Sequence, residues 1–340
     1  MLVYFLLLIL TIISLLLYKS KKNQIFAVLP FVFMAFVGGF RENVGADYKQ
    51  YVFIFDRYLE NLSITSYVEV GFRNLIRLII LIGGSHQMMF FVTSVVTCMC
   101  YYIFIRDNSD DFCMSTILFM CLGPFYLSTF NIMRQTLAVA IVLCGLKYCY
   151  IDRKKYWFYV IIATTFHITA VFYFLLPFTK KFKKEYLFFF VGLSIIGCLF
   201  VRFGIIDLFL ALSSNYDKFI GLGGRSWNLS YLVFLLISLF VIIWKPLYKA
   251  IDQKAVLMVI VAAVMIVSAY GEEKYGIFVT RLISLCSPIF IIVIPEITKK
   301  IRPYYVMKLG VYSFCMAYFY KIIKTGASIL PYTFNFNLLR

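Results

Sequence analysis

Charge and histidine are both scarce in this chain of 340 residues: 14% of it is Asp, Glu, Lys or Arg, and only His86 and His167 carry an imidazole. A water-soluble domain needs a polar shell, which 63% hydrophobic residues and a mean hydropathy of +0.89 do not supply, so a soluble fold is excluded. The nine cysteines, Cys98, Cys100, Cys113, Cys121, Cys144, Cys149, Cys198, Cys286 and Cys315, form no CxxC pair and meet no clustered histidines. That pattern argues against a zinc site and a disulfide framework, and the sequence calls for no metal and no cofactor. Lying in or beside apolar runs, the thiols read as small packing residues. Short alternating segments of an outer-membrane barrel are missing, as are internal repeats and low-complexity tracts. The first apolar run, 1–17, has no basic residue before it and no small-residue cleavage site, which makes it a retained span rather than a signal peptide.

What the sequence does contain is a succession of apolar stretches near the roughly 20 residues that a helical span requires. The expected fold is an all-α polytopic membrane bundle of about ten spans, forming a single domain over 1–340 with external loops at about 41–86 and 204–228. Lys19, Lys21 and Lys22 follow the first span and place it with the N-terminus outside. Residues 51–84 mix charges with apolar residues at helical spacing and read as an amphipathic helix at the outer surface. Asn131 is placed to cap the helix that follows it. Residues 156–178 are flanked by lysines on both sides, so a re-entrant hairpin of two short helices bending near His167 fits better than one crossing. The inner turns are lysine-rich because lysines set orientation and meet anionic lipid headgroups. The formal net charge of +17 is therefore no argument for a nucleic-acid partner.

A few ionisable residues interrupt the apolar runs, where charge is costly and asks for a reason. Counting crossings puts Arg41, Asp47, Glu69, Arg134 and Arg281 near the external face, with His167 at the depth of the fold-back. Arginines dominate that face, and a guanidinium grips phosphate with two parallel hydrogen bonds, so Arg41, Arg134, Arg225 and Arg281 are candidate clamps for an anionic, membrane-borne substrate. Each could instead snorkel or pair with a carboxylate. Arg134 is the strongest of them, because nothing acidic lies near it along the sequence. Asp47 either salt-bridges Arg41, caps the local turn, or acts on substrate. Gly45, Tyr48 and Gln135 accompany these residues as candidate substrate contacts. Gly221, Gly223 and Gly224 surround Arg225 in a loop able to close over a glycan.

Five segments carry a resemblance: FRENVGADYKQY at 40–51, EVGF at 69–72, NIMRQTLAVAI at 131–141, TFHITA at 165–170, and the span beginning at Arg281. In order and spacing, over about 40–295, they resemble the EpsG family of bacterial exopolysaccharide membrane proteins, itself similar to Wzy-type polymerases of O-antigen and capsule. EVGF departs from the pattern, which has a proline after the glutamate. The resemblance implies a GT-C-like membrane glycosyltransferase at the outer face of the bacterial cytoplasmic membrane. Its substrate would be a repeat unit on undecaprenyl pyrophosphate, and a chain-length regulator is a further expected partner. Arg134 and Arg281 would hold the pyrophosphate, with Arg41 assisting or fixing Asp47 and Tyr48 at the mouth, while His167, Asp47 and Glu69 compete for the role of base. A transporter or flippase for an anionic lipid-linked oligosaccharide is the alternative, since buried arginines and a broken span also mark translocation paths. An acyltransferase lacks a second histidine placed outside.

Overall fold

The computed structural model describes residues 1–62, 68–181, 196, 199, 203, 229–244, 281, 283–325 and 329–340. The chain packs as two compact units, residues 1–174 with 301–340, and residues 175–300. Arg225, Gly221, Gly223, Gly224 and the spans expected at 186–203 and 255–270 lie outside the described residues, apart from isolated positions.

In the first unit, α1 (Leu2–Lys21) is a continuous apolar helix that stops where Lys22 turns left-handed, with Lys19 and Lys21 in its last turn facing the negative end of the helix dipole. Asn23 then caps α2 (Gln24–Gly39), its side chain accepting from the Ile25 amide at 2.9 Å. α5 (His86–Asn108) begins at Ser85, whose hydroxyl accepts from the Gln87 amide, and packs against α2 on one side and α7 (Met133–Cys144) on the other. Asp111 caps α6 (Phe112–Cys121) and Asp152 caps α8 (Arg153–Phe166).

Three helices among the described residues, Leu2–Lys21, His86–Asn108 and Tyr304–Thr325, are long and apolar enough to cross a membrane, and five further apolar helices are shorter. The ten full spans read from hydropathy are thus not all single helices. The run at 112–129 shows why. α6 ends at Cys121, just before Pro124, which cannot continue a helix, and the chain proceeds through a buried turn into a 3-10 helix, Leu127–Phe130. Apolar length was sufficient for a crossing; backbone chemistry was not.

The stretch 51–84 likewise forms two amphipathic helices rather than one, α3 (Tyr48–Leu59) and α4 (Val70–Leu81). Each buries an apolar stripe at helical spacing, Tyr51 with Ile54 and Phe55 in α3, and Phe72, Ile76 and Ile79 in α4. These side chains share a core with Tyr48, Val68, Phe90 and Met133. At the other side of the unit, α8 stops at Phe166 and a 3-10 stretch, Ile168–Lys181, begins after His167. The two touch at two points within the first unit. The Tyr156 hydroxyl donates to the Tyr173 carbonyl at 3.2 Å, and the Trp157 and Phe174 rings lie 6.5 Å apart.

The unit has two distinct polar ends. At one, Lys19, Arg106, Asp110 and Asp111 line a shared open concavity. Beside it Asp107 pairs with Arg106 and Lys147, both at 2.7 Å, and Asp111 pairs with Lys308 at 2.5 Å. At the opposite end the chain after Ile329 returns to the loop following α2. β1 (Arg41–Glu42) pairs antiparallel with β2 (Thr333–Phe334), matching Arg41 to Phe334. Tyr4 donates to the Ile329 carbonyl, the Ser85 amide donates to Leu338, and Arg340 donates to the carbonyls of Gly84 and Ile80.

The second unit is described in part. Its helices Leu229–Ile243 and Phe290–Lys300 meet through the stacked rings of Phe234 and Phe290, 4.2 Å apart, and Lys300 pairs with Glu296 one turn earlier.

Candidate functional site

Arg134 stands in the first turn of α7, and the acidic partner that its sequence neighbourhood lacks comes from 65 residues upstream. Its Nη1 lies 2.5 Å from Oε2 of Glu69. Glu69 occupies the position just before α4 and makes no capping bond to its helix amides. Its side chain turns instead to the guanidinium. The pair is asymmetric in exposure: the Glu69 side chain keeps 7% of its accessible surface and that of Arg134 keeps 20%. Arg134 is therefore the more exposed member of the pair, although its Nε is buried.

Two further groups belong to this centre. The Tyr51 hydroxyl accepts from the Arg134 backbone amide at 3.4 Å. Burial pushes the Tyr51 phenol above its ordinary range, with Arg134 opposing that shift and the nearby Asp47 carboxylate reinforcing it. Asp47 itself is half-buried at the start of α3. Gln135, next to Arg134, is buried at 2% exposure.

The loop carrying Asp47 is pinned from several directions. Gly45 adopts φ +106°, a conformation that side-chain-bearing residues rarely take, and a Cβ there would collide with the Phe130 carbonyl. Asn131, expected to cap α7, instead accepts from the Ala46 amide at 2.7 Å, and Ile132 holds the cap position of α7 with no side-chain cap bond. A side-chain oxygen can satisfy only what it faces, and the 41–47 loop competes successfully with the helix for this one. Gly45 and Asn131 together fasten the Asp47 loop to the segment leading into Arg134.

Arg41 is enclosed by its own loop and two aromatic rings. With 1% exposure, it donates from Nε to the Val44 carbonyl at 3.2 Å and from Nη1 to the Gly38 carbonyl, and its Nη2 approaches the Met133 sulfur. Its guanidinium lies over the rings of Phe90 at 4.6 Å and Phe130 at 4.9 Å. Burial lowers its pKa to about 10, so it stays charged at neutral pH. Gln87, fully buried at the start of α5, adds a second tie by donating to the carbonyls of Gly39 and Arg41. Tyr48 is also internal, stacked on Phe90 at 4.6 Å with 12° between planes. Arg41 and Tyr48 thus build the floor on which the site rests.

His167 closes α8 and is half-buried. The Thr169 amide donates to its Nδ1 at 3.3 Å, and the Thr169 hydroxyl lies 2.7 Å from the same nitrogen. A backbone amide can only donate, so Nδ1 is the acceptor and a neutral ring carries its proton on Nε2. This tautomer presents an N–H at Nε2, suited to donating to an anion rather than to removing a proton. The bend also approaches the Glu69 centre, since Gly71 of α4 packs so closely on Thr165 that a Cβ would clash with its hydroxyl. Phe166 packs on the same apolar cluster as Tyr51 and Met133.

Asp47, Glu69 and Arg134 are thereby brought to one centre with Tyr51, and the His167 bend is packed beside it. Arg281 belongs to the second unit, where it is half-buried. Sequence reasoning missed the roles of Gln87 and Asn131 as loop anchors, and missed the return of residues 329–340. The signal available for the first two was a polar side chain at a helix start with no helical capping task.

No curated protein and no solved structure matches the chain. The family model described as the EpsG family matches residues 24–334, which takes in every segment of the site just described. With its long apolar helices, and with nearly its whole length covered by that match, this chain is a membrane protein of the EpsG family, a family of Wzy-like polymerases.

Proposed function

We propose that the protein is a polysaccharide polymerase that transfers a growing glycan from undecaprenyl pyrophosphate to an incoming lipid-linked repeat unit. The reaction takes place at the outer face of the bacterial cytoplasmic membrane. The observation that carries this reading is the Arg134 centre: a partly exposed guanidinium at a helix start, with two carboxylates nearby, at the end of the unit opposite Lys19, Arg106 and Lys147. Positive-inside logic assigns the lysine-bearing end to the cytoplasm, which leaves Arg134 on the side where lipid-linked units are joined.

The transfer needs a cation on the departing diphosphate and an acceptor for one proton. Arg134 supplies the first. His167 donates from Nε2 to a phosphate or sugar oxygen. The proton acceptor is then a carboxylate, Glu69 or Asp47, and the chain's own side chains suffice without a metal or cofactor. A chain-length regulator acts as partner. Reconstitution of the purified protein with a lipid-linked repeat unit tests this reading by gel analysis. A ladder of lengthened glycans is expected from the wild type and none from Arg134→Ala; a wild-type product of single length would refute polymerisation.

A further inference from the structure

We infer that Glu69 is an exchangeable occupant of the anion seat on Arg134, displaced by the substrate's diphosphate and thereby released to accept the proton of the acceptor hydroxyl. This rests on the polymerase reading above and adds a sequence of events to it.

The geometry of the ion pair motivates the inference. Glu69 stands just before α4 without capping it, and its carboxylate is committed to a guanidinium on another helix. It meets Arg134 at 2.5 Å through one oxygen on Nη1, occupying a place a phosphate oxygen would take. Burial makes such a pair expensive to break without a replacement, because either ion left alone in a low-dielectric setting loses more than the pair gained. Exchange avoids that penalty: an incoming diphosphate carries more negative charge than a carboxylate and can engage the guanidinium with two parallel bonds. Arg134 is the more exposed partner of the two, so the diphosphate approaches from its side.

Displacement also resolves which group takes the proton. While bonded to Arg134, the Glu69 carboxylate has its oxygen taken up by the guanidinium and not offered to a hydroxyl. Once the guanidinium has moved its allegiance to the diphosphate, that carboxylate stands free beside the reacting sugar. The acceptor oxygen then forms its bond to the anomeric carbon, the bond from that carbon to the phosphate oxygen breaks, and the electron pair leaves with the lipid diphosphate held by Arg134. The hydroxyl proton passes to Glu69. No proton transfer is possible before the diphosphate is seated, so the free enzyme is protected against attack by water. Gly71, wedged against Thr165, ties the start of α4 to the His167 bend, so movement of Glu69 is felt there as well.

The test measures binding of inorganic pyrophosphate to the full-length protein in detergent, alongside glycan lengthening in proteoliposomes. Glu69→Gln keeps the shape and removes the competing charge. It should bind pyrophosphate more tightly than the wild type, by about tenfold, and produce no ladder. Arg134→Gln should bind none. Glu69→Asp, which retains a carboxylate on a shorter arm, should bind more tightly and retain partial lengthening; it also serves if the glutamine variant fails to fold. Equal or weaker pyrophosphate binding by both Glu69 variants overturns the exchange. Full lengthening by Glu69→Gln overturns the proton-acceptor role. A wild type that lengthens glycans while its Glu69 variants show no binding gain defeats this inference alone, whereas a wild type that neither binds pyrophosphate nor lengthens glycans defeats the polymerase reading itself.

Discussion

Substituting Arg41 separates a structural arginine from a substrate clamp. Its guanidinium is enclosed between Phe90 and Phe130 and donates to two backbone carbonyls, with 1% of its surface exposed. A desolvated cation–π contact contributes about 2 kcal/mol. Each hydrogen bond from a charged group contributes about 1.5–3 kcal/mol. In Arg41→Lys the shorter, more strongly hydrated ammonium cannot span both carbonyls and keep its place between the rings, so the expected loss is about 3–4 kcal/mol. Arg41→Ala adds the cost of a cavity between two aromatic rings and should prevent accumulation of folded protein. The sign of the pH dependence follows from burial, which favours the neutral form and holds the pKa at about 10. Below that value the group is charged in both the folded and unfolded states, so its contribution is flat through neutral pH; it rises only above about pH 10, where the unfolded state binds the extra proton. The assay is denaturant unfolding in detergent, followed by tyrosine and tryptophan fluorescence. An Arg41→Lys protein as stable as the wild type, or an Arg41→Ala protein that folds normally yet loses only glycan lengthening, would refute the enclosed role and return Arg41 to the substrate.

The Glu69–Arg134 pair should show strong coupling in a double-mutant cycle: Arg134→Met strands the deeper charge and should cost about 3 kcal/mol, Glu69→Gln less, and the double variant less than their sum; additive losses measured by unfolding would deny the pair. Gly45→Ala should lower stability by about 2 kcal/mol or more, because φ +106° and the Phe130 carbonyl both oppose a Cβ, and a variant with an unchanged unfolding midpoint would contradict this loop geometry. Asn131→Ala should cost about 1 kcal/mol through the lost bond from Ala46, with Asn131→Asp retaining most of it, as read from the same unfolding curves. In a cysteine-free background, Lys22→Cys should react with an impermeant thiol reagent only from the cytoplasmic side and Lys49→Cys only from outside; labelling of both from one side would invert the assignment of the two polar ends.

How much of the site was legible in the sequence differs from residue to residue. Arg134 stood out because a charge inside an apolar run has to be accounted for, and the bend at His167 was marked by lysines on both flanks. Arg41 attracted notice for the same reason as Arg134, yet its task is different. The Gly38 and Val44 carbonyls are local, but the enclosing rings of Phe90 and Phe130 come from α5 and the segment before α7, and nothing adjacent in the chain announces them. Tyr48, read as a candidate substrate contact, lies flat against Phe90 for the same reason. Proline set the end of α6 where hydropathy alone would have continued it.

Composition by itself determined that this is a helical membrane protein with one lysine-rich side, because the transfer of charge and unpaired backbone into lipid is costly wherever it occurs. It also located the ionisable residues that had to be functional or paired. Only the tertiary structure decided between those two fates: it joined Glu69 to Arg134 across 65 residues and sealed Arg41 between aromatic rings. The physical reason is that a charge announces its cost locally, through its own desolvation, whereas the group that compensates it is chosen by which distant helix the fold sets against it.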